Sequence, residues 1–203
     1  MKRIHYISGT VISTFILLHL CNHLWSLAGI EAHIALMEQL RLVYRNVFIE
    51  SIIVSAVLVQ VVSGIKLFLN RNKGVSTPFK KIQLWSGLYL AFFFLVHLSA
   101  VFMGRLVMQL DTNLYFGAAG LNNFPLNLFF IPYYVLAIVS FFGHLSALHH
   151  YKMKHSILGL STKNQSYVII AIGVGTATAV LIGLTNGFKG IELPAVYEVL
   201  LGR

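Results

Sequence analysis

Three histidines of this chain, His19, His23 and His97, stand inside apolar runs long enough to cross a bilayer, the first two in "ISTFILLHLCNHLWSL" (12–27). An imidazole in hydrocarbon is costly unless its nitrogens are hydrogen-bonded or coordinated. The neutral ring is also a common metal ligand. His19 and His23 share a helix face at i, i+4 spacing, and a fourth intramembrane histidine, His144, stands in "SFFGHLSAL". His149, His150 and His155 lie among Tyr151, Lys152 and Lys154 with neither cysteine nor carboxylate beside them, so they read as a solvated basic face. Glu31, His33 and Glu38 fall in "EAHIALMEQLRLVYR", where Glu31 and His33 are two apart and do not share a helix face. Their ordinary reading is the polar rim of an amphipathic helix. No nucleotide loop, catalytic triad or zinc-protease signature is present.

The elements that must position these residues follow from composition. The chain has 203 residues, 57% hydrophobic and only 10% charged, with mean hydropathy +0.78. A soluble domain carries about 25% charged residues, so too little polar surface exists to coat a globule. This composition predicts one integral-membrane domain over 1–203. Apolar runs place five spans at Ile4–Leu27, Val47–Leu69, Ile82–Val107, Phe124–Leu148 and Tyr167–Phe188. The first is too long, and too rich in histidine, for a cleaved signal peptide. Pro125 and Pro132 begin or bend the fourth.

The net charge of +9 lies in the connectors rather than on one basic face, which argues against nucleic acid. One side receives Lys2, Arg3, Arg71, Lys73, Lys80, Lys81, Lys152, Lys154 and Lys163; the other receives Arg41, Arg45, Arg105, Lys189, Arg203 and all six acids. Lysine and arginine excess marks the cytoplasmic side, so the N-terminus is expected inside and the C-terminus outside. The fold class is then an all-α membrane protein, a five-transmembrane up-and-down bundle. Residues 30–46 should form an amphipathic helix at the outer interface.

"KRIHYISGTVISTFILLHLC" (2–21) matches "KKIQLWSGLYLAFFFLVHLS" (80–99) in register, with nine residues between Ser-Gly and histidine in both. Spans two and four align more loosely, through Gly64 with Gly143 and Ile65 with His144, making an internal repeat of helices 1–2 upon 3–4. Spans one and three run in the same direction, so His19 and His97 reach one depth in the outer half. Two neutral imidazoles so placed can fill both axial positions of a haem iron, leaving no open site for oxygen and electron transfer as its task. Arg41, Tyr44, Arg45 and Arg105 at the outer boundary would hold the propionates.

"RIHYISGTVISTFILLHLCNHL" and "IQLWSGLYLAFFFLVHL" resemble the buried-histidine helices of the cytochrome b membrane anchors of succinate dehydrogenases and fumarate reductases, over spans one to four. The resemblance implies haem b, a membrane quinone as substrate, and flavoprotein and iron–sulfur partner subunits docked on the cytoplasmic side of a bacterial inner membrane. Arg71, Lys73, Lys80 and Lys81 would meet those partners, and dehydrogenase activity would belong to the complex. Arg3 and Ser8 resemble residues near the family's quinone site. Members with two haems draw ligands from each of the first four spans. Here Ile65 takes the second-span place, and that helix has no histidine. One haem, on the outer side, is the expectation.

Alternatives stay open at several residues. His23 is the true ligand, a partner of His19, or a quinone contact. His144 pairs with His97 or packs through a hydrogen bond. Glu31, His33 or Glu50 would accept protons from a quinol oxidised beside an outer haem. Two rival functions remain: a haem-free transporter or ligand-binding bundle using the buried histidines, and a membrane metalloenzyme at His19, His23 and His33.

Overall fold

The computed structural model describes residues 1–70 and 77–202, and all regular structure among them is helical. Five helices are long and apolar enough to cross a membrane. They are α1 (Lys2–Leu24), α3 (Val47–Leu69), α4 (Pro78–Phe102), α6 (Asn127–Lys152) and α7 (Thr162–Leu184). A further helix, α2 (Ile30–Tyr44), follows a single 3-10 turn at Trp25–Ala28, and a short α5 (Leu114–Ala118) precedes α6. Arg71, Lys73 and Arg203 lie outside the described residues.

Local chemistry sets the boundaries. Asn46 caps α3 by accepting from the Phe48 N–H at 3.1 Å. Thr77 caps α4 through the Lys80 N–H at 3.3 Å, with Pro78 in the first turn where its missing donor costs nothing. Ser161 caps α7 through the Asn164 N–H, so the fifth span starts at Thr162 and not at Tyr167. It ends at Leu184, short of the expected Phe188, because Asn186, Gly187 and Phe188 all take positive φ and leave the helix. The fourth span likewise moves to Asn127–Lys152 from the expected 124–148, and Pro132 lies inside it.

The spans form a closed ring in which α1 packs on α3, α3 on α4, α4 on α6, α6 on α7, and α7 on α1. Contacts fix alternate directions. His5 at the start of α1 meets Ser63 near the end of α3, and Thr77 at the start of α4 meets Tyr151 at the end of α6. The far end is closed by α2, α5 and the turn at Ala195–Leu201, whose Tyr197 hydroxyl donates to the Asp111 carbonyl at 2.9 Å. The first residue and the Ala195–Leu201 turn therefore lie at opposite ends of the bundle.

Burial is inverted relative to a soluble protein. Leu58, Val62, Leu95, Leu128 and Ile172 point outward, while Ser8, Asn22, Ser63, Ser86, Ser146, Ser166 and Gln165 are buried. Apolar side chains gain nothing by leaving lipid, so small residues and hydrogen bonds hold the helices together. Leu20, Ile138, Phe141, Ala177 and Val180 form one apolar cluster, and Ile12, Ala56, Val57, Val61 and Ala91 another.

The α6–α7 contact depends on Gly173, where an added Cβ would lie 2.4 Å from Cβ of Phe142, whereas at Gly175 it would meet nothing within 4 Å. Gly173→Ala should lower stability by about 1–3 kcal/mol through overpacking. Gly175→Ala should leave it unchanged or slightly raised, both read from detergent-denaturant unfolding of the purified protein.

Candidate functional site

Toward the far end the ring encloses a cavity of about 530 Å³, lined mainly by apolar and aromatic side chains. His19, His97, Arg41, Tyr44, Arg45 and Arg105 all line it, and so does His23. The sequence scatters these residues over three elements and their connections. The ring gathers them because α1 and α4 run in the same direction on opposite sides.

His19 and His97 meet edge to face with ring centres 6.2 Å apart and planes crossing at 66°. Each ring lies on a phenylalanine one turn earlier: Phe15 stacks on His19 at 5.7 Å and 18°, and Phe93 on His97 at 5.1 Å and 14°. Those aromatic platforms did not stand out in the sequence, although Phe15 and Phe93 occupy matched places in the paired segments. His97 makes no hydrogen bond among the described residues and borders the cavity. His19 does make one, since its Nε2 lies 3.1 Å from Nε2 of His23. A neutral imidazole has one donor and one acceptor, so the two nitrogens share a single N–H, and a metal bound at His19 Nε2 would take that bond's place. Nδ1 of His23 is buried without a partner.

The donor set fits a haem. Opposed imidazoles on one metal, each with a bond of about 2 Å, hold their ring centres roughly 6 Å apart, as His19 and His97 do. The cavity's apolar walls suit a macrocycle, and its charged end suits propionates. There Arg41 pairs with Asp111 at 2.8 Å, Arg45 reaches Asp111 at 3.7 Å and Thr112 at 3.0 Å, and Arg105 pairs with Glu50. Three guanidiniums thus face two carboxylates, and the buried Nε of Arg41 is unpartnered. Burial pulls the Arg45 guanidinium below its ordinary range, and the charges of Arg41 and Arg105 add to this against the opposing Asp111. An arriving carboxylate would relieve that excess.

The remaining expected residues lie elsewhere. His33 is 1% exposed. Its Nδ1–H donates to the Asn22 carbonyl at 2.9 Å, the Asn22 amide lies 3.4 Å from its Nε2, and the ring stacks on His23 at 5.4 Å. It is therefore a packed brace between α2 and α1, not part of a polar rim. Glu31 and Glu38 are exposed. Among the described residues no three of His, Cys, Asp or Glu gather around one point, which leaves the metalloenzyme site at His19, His23 and His33 without a ligand set. Ser8 and Arg3 are at the opposite end, where Ser8 is satisfied by donating to the Ile4 carbonyl and accepting from Gln60, both at 2.9 Å, while Arg3 is exposed. His144 is not at the cavity and bonds Ser86 through Nδ1 at 3.2 Å.

Burial holds the His33 imidazole down to about 4, below its ordinary 6.5. The unfolded chain therefore binds the extra proton first, so this group's stabilisation is complete above pH 6.5 and is lost as pH falls from 6.5 toward about 4. His33→Asn keeps a donor for the Asn22 carbonyl but cannot titrate. Unfolding midpoints taken at about pH 7.5 and about pH 5 should differ less in the variant than in the parent chain.

No protein-family model matches the chain, and neither the curated proteins nor the solved structures give a match.

Proposed function

We propose that this chain is a membrane-embedded electron carrier that binds haem b between His19 and His97. The observation that supports it most directly is the pair of imidazoles from two helices, centres 6.2 Å apart, bordering an apolar cavity of about 530 Å³ that arginines also line. His19 and His97 would hold the group, which would supply one-electron transfer.

The chain's own residues do the rest. Phe15 and Phe93 fix the planes of the two rings, so little ordering is needed on binding. Ile12, Ile16, Val57 and Ile138 give the cavity apolar walls. Arg41, Arg45 and Arg105 supply charge-assisted donors for propionates in excess of what Asp111 and Glu50 consume. His23, one turn from His19 with its Nε2 at 3.1 Å, holds that ring when no metal is present.

The lysine-bearing end would be cytoplasmic, since Lys2, Lys80, Lys81, Lys152 and Lys154 gather there with Arg3. It would also face the flavin and iron–sulfur partner that the family resemblance implies, and membrane quinone would complete the circuit. The match between the segments at 2–21 and 80–99 supports an ancestral repeat in which each copy provides one phenylalanine-backed ligand.

Protein purified from haem-replete cells should be red, with a Soret band that shifts on dithionite reduction. His97→Ala should abolish that band, whereas His150→Ala, which removes a ring stacked on Phe79 at 4.0 Å, should leave it unchanged. His19→Ala against His23→Ala identifies which member of the hydrogen-bonded pair binds the iron. A colourless preparation would sink the reading in favour of a haem-free bundle.

A further inference from the structure

Three pieces of chain outside the spans reach the cavity's far end. α2 brings Arg41 and Tyr44 to the lining, α5 brings Phe116, and the turn at Ala195–Leu201 brings Leu200. They are not held equally. α2 is braced on α1 through His33, and α5 buries Leu114 and Ala118. In the turn Tyr197 alone is buried, while Val196 and Val199 point outward. The N–H groups of Tyr197 and Gly202 bond to the Pro194 and Val199 carbonyls, inside the segment itself. Attachment therefore falls to the Tyr197 side chain. Its ring packs on Tyr115 at 5.7 Å, and its hydroxyl donates to the Asp111 carbonyl at 2.9 Å.

The chain leading to the turn is bent in an unusual way. Asn186, Gly187, Phe188 and Gly190 all take left-handed φ, between 50° and 87°, a region that residues other than glycine seldom enter. A few element-terminal residues of this kind absorb the rotation when a segment swings.

Asp111 holds two things at once. Its backbone oxygen receives Tyr197, and its carboxylate pairs with Arg41 at 2.8 Å and reaches Arg45 at 3.7 Å. The side chain is 46% exposed, so it can turn to water without crossing hydrocarbon. The guanidiniums it occupies are the ones a ligand carboxylate would use.

Resting on the reading of this cavity as the haem site, we propose that residues 191–202 are its door, pivoting over 186–190, and that Asp111 is the latch which a ligand carboxylate replaces on Arg41 and Arg45. The five spans pack into a ring and close the sides. A ligand seated through this end keeps its anionic edge against the guanidiniums and its apolar body within the ring. Seating that edge takes both arginines from Asp111, so the ligand competes with the same residue that fastens Tyr197.

The test reads entry to the cavity by thiol labelling of the full-length chain in detergent. Ala119 lines the cavity and is 2% exposed, so Ala119→Cys in a Cys21→Ala background reports access. Two methanethiosulfonate reagents are compared, one carrying ethylsulfonate and the other ethyltrimethylammonium. Tyr197→Phe keeps the ring and removes the hydroxyl. It should speed both reagents alike, by about fivefold for the loss of one hydrogen bond. Asp111→Asn keeps the backbone oxygen and uncovers the guanidiniums, so it should speed the sulfonate and slow the ammonium reagent. Rates unmoved by Tyr197→Phe overturn the door. An equal effect of Asp111→Asn on the two reagents overturns the latch. Neither reagent needs haem, so a colourless chain removes the haem reading and leaves this test in force. In haem-loaded protein Tyr197→Phe should also quicken transfer of haem to apomyoglobin, and an unchanged transfer rate overturns the door as haem's route.

Discussion

An imidazole surrounded by hydrocarbon must place both of its nitrogens, and the arrangement of this bundle follows from how each one does so. His33 gives its N–H to the Asn22 carbonyl and receives the Asn22 amide, which ties α2 to α1. His5 and His144 give theirs to serines one helix away, which tie α1 to α3 and α6 to α4. His149 is held by Gln165 at 2.8 Å, and this joins α6 to α7. Contacts that would otherwise be nonspecific packing of oily surfaces thereby acquire a register. His97 alone of the intramembrane set has no such bond among the described residues, and it is the one that borders the cavity opposite His19.

The far end shows the same economy with charge. Arg41 and Arg45 leave α2 and its end, Arg105 leaves the π-helical turn at Met103–Val107, and Asp111 belongs to the connection beyond it. Their pairings bring α2 and α3 against the segment after α4, closing the ring over the cavity. Isolated exposed ion pairs contribute little. These are half-buried, and they share a guanidinium excess that no side chain in the cluster neutralises. On the proposed function, that positive charge would favour an apolar ligand that also carries an anion.

Hydropathy made the five spans legible, because a membrane core demands long apolar runs. The matched segments made His19 and His97 legible as a pair at one depth, and the boundary arginines could be read from topology. Span ends moved by a few residues where a cap or a left-handed turn decides: Ser161 sets the start of α7 and Asn186 its end. His33 was misread because its burial depends on α2 folding back onto Asn22, a contact between elements that no local pattern encodes. His5 went unremarked because a histidine after Lys2 and Arg3 looks like part of a solvated basic face. Only the position of Ser63 on α3 gives it a partner. The loose alignment of spans two and four set Ile65 beside His144 and said nothing of Ser86, which bonds His144 from α4 as Ser63 bonds His5 from α3.

The two ends of the bundle use their polar groups differently. His5 and His19 are fourteen residues apart on α1, roughly 21 Å along a helix rising about 1.5 Å per residue. At the amino-terminal end the rings are spent on joining helices, His5 on Ser63 and His144 on Ser86. At the far end His19 and His97 border a cavity with three guanidiniums beside it. Hydrogen bonds between helices fix a register that apolar packing alone leaves loose. The bonds at the near end therefore help to set the height at which α1 and α4 present His19 and His97.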